Sequence, residues 1–205
     1  MTDFTAKDIQ ALRQATGSGM MDAKRALVDT GGDVERAKEL LRERGLADAA
    51  KRAGRSQTEG AIGSYLHQQA GRPVIGVIVE LASETDFVAK SGEFQEIAND
   101  IAMHTAAARP RWITQDDVPE DAIEEEKRLI AAQATNEGKP EHIVERIVEG
   151  RLKSFFADNV LYDQVFVKTE QFDGTVGELV KQLAAKMGEN ISVSKMARVA
   201  VGEEG

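Results

Sequence analysis

The hydrophobic positions switch between helical spacing and strict alternation along the chain. Through the first 45 residues they recur at helical spacing: Ile9 and Leu12, then Met20, Ala23 and Leu27, then Val34, Ala37, Leu40 and Leu41. Thr5, with Asp8 three residues on, predicts a capped start for the first of three short helices. Thr16-Gly17-Ser18-Gly19 and Gly31-Gly32 break the chain between them, Asp33 is placed to cap the third, and Gly45 is expected to stop it. Residues 47–55 read as a helical, basic connector carrying Lys51, Arg52 and Arg55. Three helices of this length enclose only a small core, so the unit is expected to be a marginally stable docking module.

From Glu59 the period becomes two. Residues 61–67 predict a strand, 68–73 a turn, and 74–81 a strand that is apolar on both faces and therefore central. SETDFVAKSGEF (83–94) is a polar corner leading into a helix that Ser91 can cap, with Phe94, Ile97, Ala98, Ile101 and Ala102 on its inner face. Pro110 ends that segment. Residues 119–136 and 140–156 predict two more helices, each opened by a proline in its first turn. A short extended piece follows at 164–168, then a last helix at 175–187. Ile191, Val193, Val199 and Val201 alternate as a final strand that can pair with the early hairpin. The expected class is α+β: a three-helix unit with its connector over residues 1–55, then a small antiparallel sheet packed with helices over 56–205.

Composition narrows the function more than the fold. A chain of 205 residues can bury roughly 70% of its unfolded surface, enough for a core without staples. No cysteine is present, so disulfide frameworks, thiol catalysis and zinc-thiolate sites are excluded, and the usage fits a reducing cytosol. The opening MTDFTAKDIQ lacks a basic region followed by an apolar run, and the longest apolar stretch, 74–79, is far short of the ~20 residues that cross a bilayer. A cytoplasmic protein is expected, with no membrane role. Net charge is −9, against a dominant nucleic-acid role, because a phosphate backbone needs clustered cations. The first 55 residues carry 11 Lys/Arg against 9 Asp/Glu and the remaining 150 carry 15 against 26, so the two units differ in surface charge.

A search for catalytic chemistry is nearly empty. His67, His104 and His142 share no metal-ligand spacing, and His104 is expected at a core edge. There is no GxGxxG, Walker A or GxSxG motif, hence no nucleotide cradle and no nucleophile elbow. No catalytic, cofactor-binding or metal-ligating set is expected. Two places break local rules. Met20-Met21 follows a flexible turn: either one methionine fills the small core while the other covers it, or the pair forms a contact for another protein, with Arg13 beside it. Phe87 falls beside Asp86 at the polar corner, off the Phe94 stripe: it is either core or a rigid wedge for a partner's pocket.

TGSGMMDAKRAL (16–27), GGDVERAKELLRERG (31–45), ETDFVAK (84–90), EGRLKSFF (149–156) and GENI (188–191) together resemble the bacterial elongation factor Ts family, in order from about residue 4 to 201. That family exchanges guanine nucleotide on elongation factor Tu. The resemblance implies that the three-helix unit is similar to a ubiquitin-associated domain and docks on the partner through Arg13, Met20 and Met21. It implies that Thr85, Asp86, Phe87 and Val88 enter the partner near its magnesium and phosphate site, with Phe87 as wedge and Asp86 fixing the corner as an N-cap. GSYLH (63–67) is similar to a partner-contacting family segment, implicating His67 as a second contact. The turn at 68–73 looks expanded relative to the family. A single copy of each motif implies a short form that acts as a homodimer, with elongation factor Tu, GDP-bound and nucleotide-free, as partner. Two other classes remain open from the residues: a tethering adaptor built on Met20-Met21, and a small enzyme using acidic residues.

Overall fold

The computed structural model describes residues 4–203; residues 1–3 and 204–205, the outer ends of the two predicted domains, lie outside them. The chain is α+β. Helices α1 (Ala6–Thr16), α2 (Met20–Asp29) and α3 (Val34–Arg52) precede a hairpin of β1 (Glu59–Gln69) and β2 (Arg72–Ser83). A single-turn helix α4 (Asp86–Ala89) leads to α5 (Gly92–Ala108), α6 (Glu120–Asn136), α7 (Glu141–Asn159) and α8 (Val176–Met187), and β3 (Ser192–Ala200) returns to the sheet. The antiparallel sheet has the order β1-β2-β3, so β2 is central as its sequence predicts.

The contacts divide into two compact units. One joins Met1–Ala61, Leu81–Phe94 and Val180–Ser192; the other joins Ile62–Glu80, Gln95–Leu179 and Val193–Gly205. In the first unit, Thr5 and Asp8 form the expected capping box, the Asp8 carboxylate accepting the Thr5 N–H at 2.6 Å. Asp33 caps α3 by accepting the Arg36 N–H at 3.0 Å. The small core of Leu12, Ala23, Ala26, Leu27, Ala37 and Leu41 is lined by Phe4, Ile9, Val34 and Leu40. Gly45 does not stop α3, which runs on to Arg52 and absorbs most of the connector. A Cβ at Gly45 would lie 3.1 Å from the Ala185 Cβ on α8, so the glycine serves close helix approach inside the unit.

In the second unit the sheet meets α5 at Gly63, where a Cβ would lie 2.0 Å from the Ala98 carbonyl oxygen. Only glycine permits that approach. The Ser64 N–H donates to Asn99 Oδ1 at 2.9 Å beside it. Val77 and Val79 of β2 are buried, whereas Ile78 between them faces water. The hairpin loop is shorter than the predicted turn at 68–73: Ala70 (φ 51°) and Gly71 (φ 79°) form a two-residue loop, and the polar Gln68, Gln69 and Arg72 belong to the strands. The final strand also departs from expectation. Burial alternates through Ile191 and Val193, slips by one residue at Ser194-Lys195, and leaves Val199 and Val201 exposed. The extended piece at 164–168 reduces to a single bridge between Val165 and Thr175. Pro119 and Pro140 sit at the N-caps of α6 and α7, one position earlier than predicted. The Tyr162 hydroxyl accepts the Val193 N–H at 2.8 Å, and burial pushes its ionisation up to about 12.

His104 lies in the core rather than at its edge, stacked on Phe166 at 5.9 Å. Its Nδ1 accepts the Val167 N–H at 3.3 Å, which places the ring proton on Nε2, donating to Gln164 Oε1 at 2.9 Å. Burial holds the imidazole below the usual histidine range, with the Gln164 hydrogen bond opposing. Both ring nitrogens are thus satisfied by a neutral ring.

Candidate partner-binding corner

The strand β2 ends at Ser83, and Glu84-Thr85 turn the chain into α4. Thr85, not Asp86, is the N-cap: its hydroxyl oxygen accepts the Val88 N–H at 3.4 Å. The reason is local, because Thr85 has the extended backbone an N-cap requires while Asp86 already has helical geometry. Asp86 instead accepts from Lys90 Nζ one turn on, at 2.5 Å. That hydrogen bond, with the ammonium charge, holds the Asp86 carboxyl below the usual carboxylate range and raises the Lys90 ammonium. Val88 and Ala89 are buried and anchor the turn. Phe87, between Asp86 and Val88, is 83% exposed, while the other six phenylalanines are buried or half-buried. The core alternative for Phe87 is therefore ruled out for the free chain.

Hydrogen bonds from sequence-distant residues hold the corner from below. Glu189 Oε2 accepts the Glu84 N–H at 3.0 Å and the Thr85 N–H at 3.1 Å, and its Oε1 accepts the Thr85 hydroxyl at 2.5 Å. Glu84 Oε1 in turn accepts the Asn190 N–H at 2.6 Å. The buried Asn190 amide donates to the carbonyls of Ala53 and Arg55 at 3.2 and 2.8 Å, tying the end of α3 to the same loop. Residue patterns reached GENI as a motif but gave these acids and amides no task.

The docking candidates of the first helices face water. Arg13 on α1 is exposed, and Met20 and Met21 open α2 at 48% and 64% exposure. Neither methionine joins the small core, which Leu12, Ala23, Ala26 and Leu27 fill instead, so the core-filling alternative does not hold. Arg13, Met20, Met21 and Thr85–Val88 all belong to the first compact unit. His67 belongs to the second, exposed on β1, with the Tyr65 hydroxyl 3.3 Å from its Nδ1.

Fold and surface together define an α+β protein that opens with three helices and carries large apolar side chains in water on a pinned turn and a helix start. A family model described as elongation factor TS matches residues 2–203. Curated relatives called elongation factor Ts include those of Thermosipho melanesiensis, 49% identical over 98% of this chain and 100% of its own length, and Syntrophomonas wolfei, 49% over 98% and 91%. That of Fervidobacterium nodosum is 47% identical over 98% and 100%. The chain belongs to the elongation factor Ts family of translation elongation factors.

Proposed function

We propose that this chain is a guanine-nucleotide exchange factor for elongation factor Tu, which binds the GDP-bound partner, disturbs its magnesium and phosphate site and releases GDP so that GTP can bind. The exposed Phe87 on an anchored turn carries the reading. A GTPase holds its nucleotide through loop amides and a magnesium ion bridging phosphate oxygens. A factor that binds the nucleotide-free conformation more tightly than the GDP-bound one weakens GDP by the same factor, without forming a covalent bond. Phe87 acts as the wedge, gaining burial only where the partner opens; Thr85 and Val88 hold its turn, and Asp86 offers a carboxylate beside it. Such a factor is not an enzyme in the sense of covalent chemistry and needs no cofactor.

Residues 1–55 act as the docking unit, through Arg13, Met20 and Met21, and residues 56–205 as the exchange and dimerisation core, with His67 as a second contact. A cytoplasmic homodimer is the proposed form. No described helix is long and apolar enough to cross a membrane. The test is release of labelled GDP from elongation factor Tu with and without the protein. Acceleration at substoichiometric factor is expected; an unchanged release rate at saturating factor refutes the reading.

A further inference from the structure

We propose that Glu189 is a positioning residue for exchange, one that presents Phe87 by clamping the Glu84-Thr85 backbone from the far end of the chain; the proposal rests on the wedge reading of Phe87. A one-turn helix has too few internal hydrogen bonds to hold its own orientation, so α4 needs outside support. Support on the buried side comes from Val88 and Ala89. On the strand side, one carboxylate accepts three hydrogen bonds, two from consecutive backbone N–H groups and one from the Thr85 hydroxyl. Two consecutive N–H groups converge on Oε2 while Oε1 takes the hydroxyl, and a grip through both oxygens fixes direction as well as distance. The same Thr85 hydroxyl oxygen accepts the Val88 N–H, so the grip is transmitted through a single atom into the turn that carries Phe87. The loop is itself fixed, because Asn190 donates its N–H to Glu84 and its side-chain amide to Ala53 and Arg55. Both oxygens of the half-buried Glu189 are engaged by the corner.

The full chain tests this through stimulated GDP release, read separately as maximal rate and half-saturating concentration. E189A and E189D are expected to lower the maximal rate about tenfold, since a misplaced group loses rate steeply with displacement. E189Q keeps most of the rate, because its amide oxygen still accepts the two N–H groups. A demand for charge alone gives the reverse, with E189D active and E189Q inactive, and overturns the proposal. In the double variant F87A/E189A the second change should cost nothing further; a loss that adds in full to that of F87A, or a normal maximal rate for E189A, also overturns it. Amide hydrogen exchange at Val88 and Ala89, whose N–H groups both bond to Thr85, should accelerate on the order of tenfold in E189A as the turn loosens. Unchanged protection there refutes the clamp whatever Phe87 does. Normal release by F87A, in contrast, refutes the wedge reading and leaves the exchange measurement to decide Glu189. If E189A fails to fold, E189D and E189Q carry the same comparison.

Discussion

A phenylalanine standing in water costs the free protein nothing in folding and offers a partner a rigid, large apolar surface. Phe87→Ala should therefore leave thermal stability unchanged and slow stimulated GDP release by about tenfold or more, because a buried aromatic anchor is worth ~2 kcal/mol. Equal rates for the variant and the native chain would remove the wedge. His104 supplies the opposite case, a polar ring wholly inside. Its folded pKa lies below the unfolded value of about 6.5, so its contribution is complete above that pH. As pH falls, the unfolded chain takes up a proton that the folded one refuses, and stability is lost down through the folded pKa. Urea unfolding between about pH 7.5 and about pH 5 should show this loss in the native protein, with a shallower slope in His104→Gln. Parallel slopes for the two would show that His104 does not titrate differently in the two states. Sequence placed Phe87 off the core stripe but left it open between core and wedge; its 83% exposure decides between them. Sequence alone could not place His104, because a helical histidine looks the same at an edge as inside until Gln164 and Val167 arrive from sixty residues away to satisfy it.

Elements whose ends are set by local chemistry were readable from the chain alone. Thr5, Asp33 and Ser91 each cap the helix they were expected to cap, because a cap bonds only within one turn. Elements set by packing were not. Gly45 has the residue type of a helix stop, yet its role depends on Ala185, distant in sequence. The hairpin strands reach further than the sequence predicts because Gln68, Gln69 and Arg72 are polar, and an exposed strand end carries no alternation to read. The start of α2 shows what an element can do once its core is filled by other residues. Gly19 provides no side-chain cap, and Met20 and Met21 are the first two residues of the helix, both in water. Flexible, polarisable side chains at such a position suit a contact that tolerates adjustment. Met20→Ala with Met21→Ala should raise the half-saturating concentration for GDP release several-fold, with little change in maximal rate. A fall in maximal rate at saturation would give α2 a direct part in displacement.

At the scale of the whole molecule, the sheet has one face covered and one face bare. Gly63 on β1 and Val77 and Val79 on β2 mark the covered side, where α5 approaches Gly63. Alternation then puts Ile62 and Leu66 of β1 and Ile78 of β2 on the other side, and all three are exposed. The approach of Leu66 Cδ2 to within 3.3 Å of a Cβ built at Gly76 confirms that the two strands share this face. On β3 the slip at Ser194-Lys195 turns Lys195 to the same side, where it pairs with Glu80 at 3.1 Å, and Val199 follows in that register at 75% exposure. Without the slip, Val199 would face inward with Val193, so the strand spends a regular alternation to bring another aliphatic residue outward. Exposed aliphatic residues from three neighbouring strands form a patch of the kind that monomers rarely leave in water. A twofold axis through such a face would stack two sheets about 10 Å apart, the ordinary spacing of a sandwich, and would be self-complementary. The chain has no cysteine, so the contact must be non-covalent and concentration-dependent. Sedimentation equilibrium across micromolar concentrations should therefore show a reversible species of twice 22.3 kDa, and Leu66→Lys with Ile78→Lys should shift it to the monomer while the circular-dichroism spectrum is retained. A constant mass of 22.3 kDa in the native protein at every concentration would refute the dimer, and a dimer that survives both lysines would place the contact on another face.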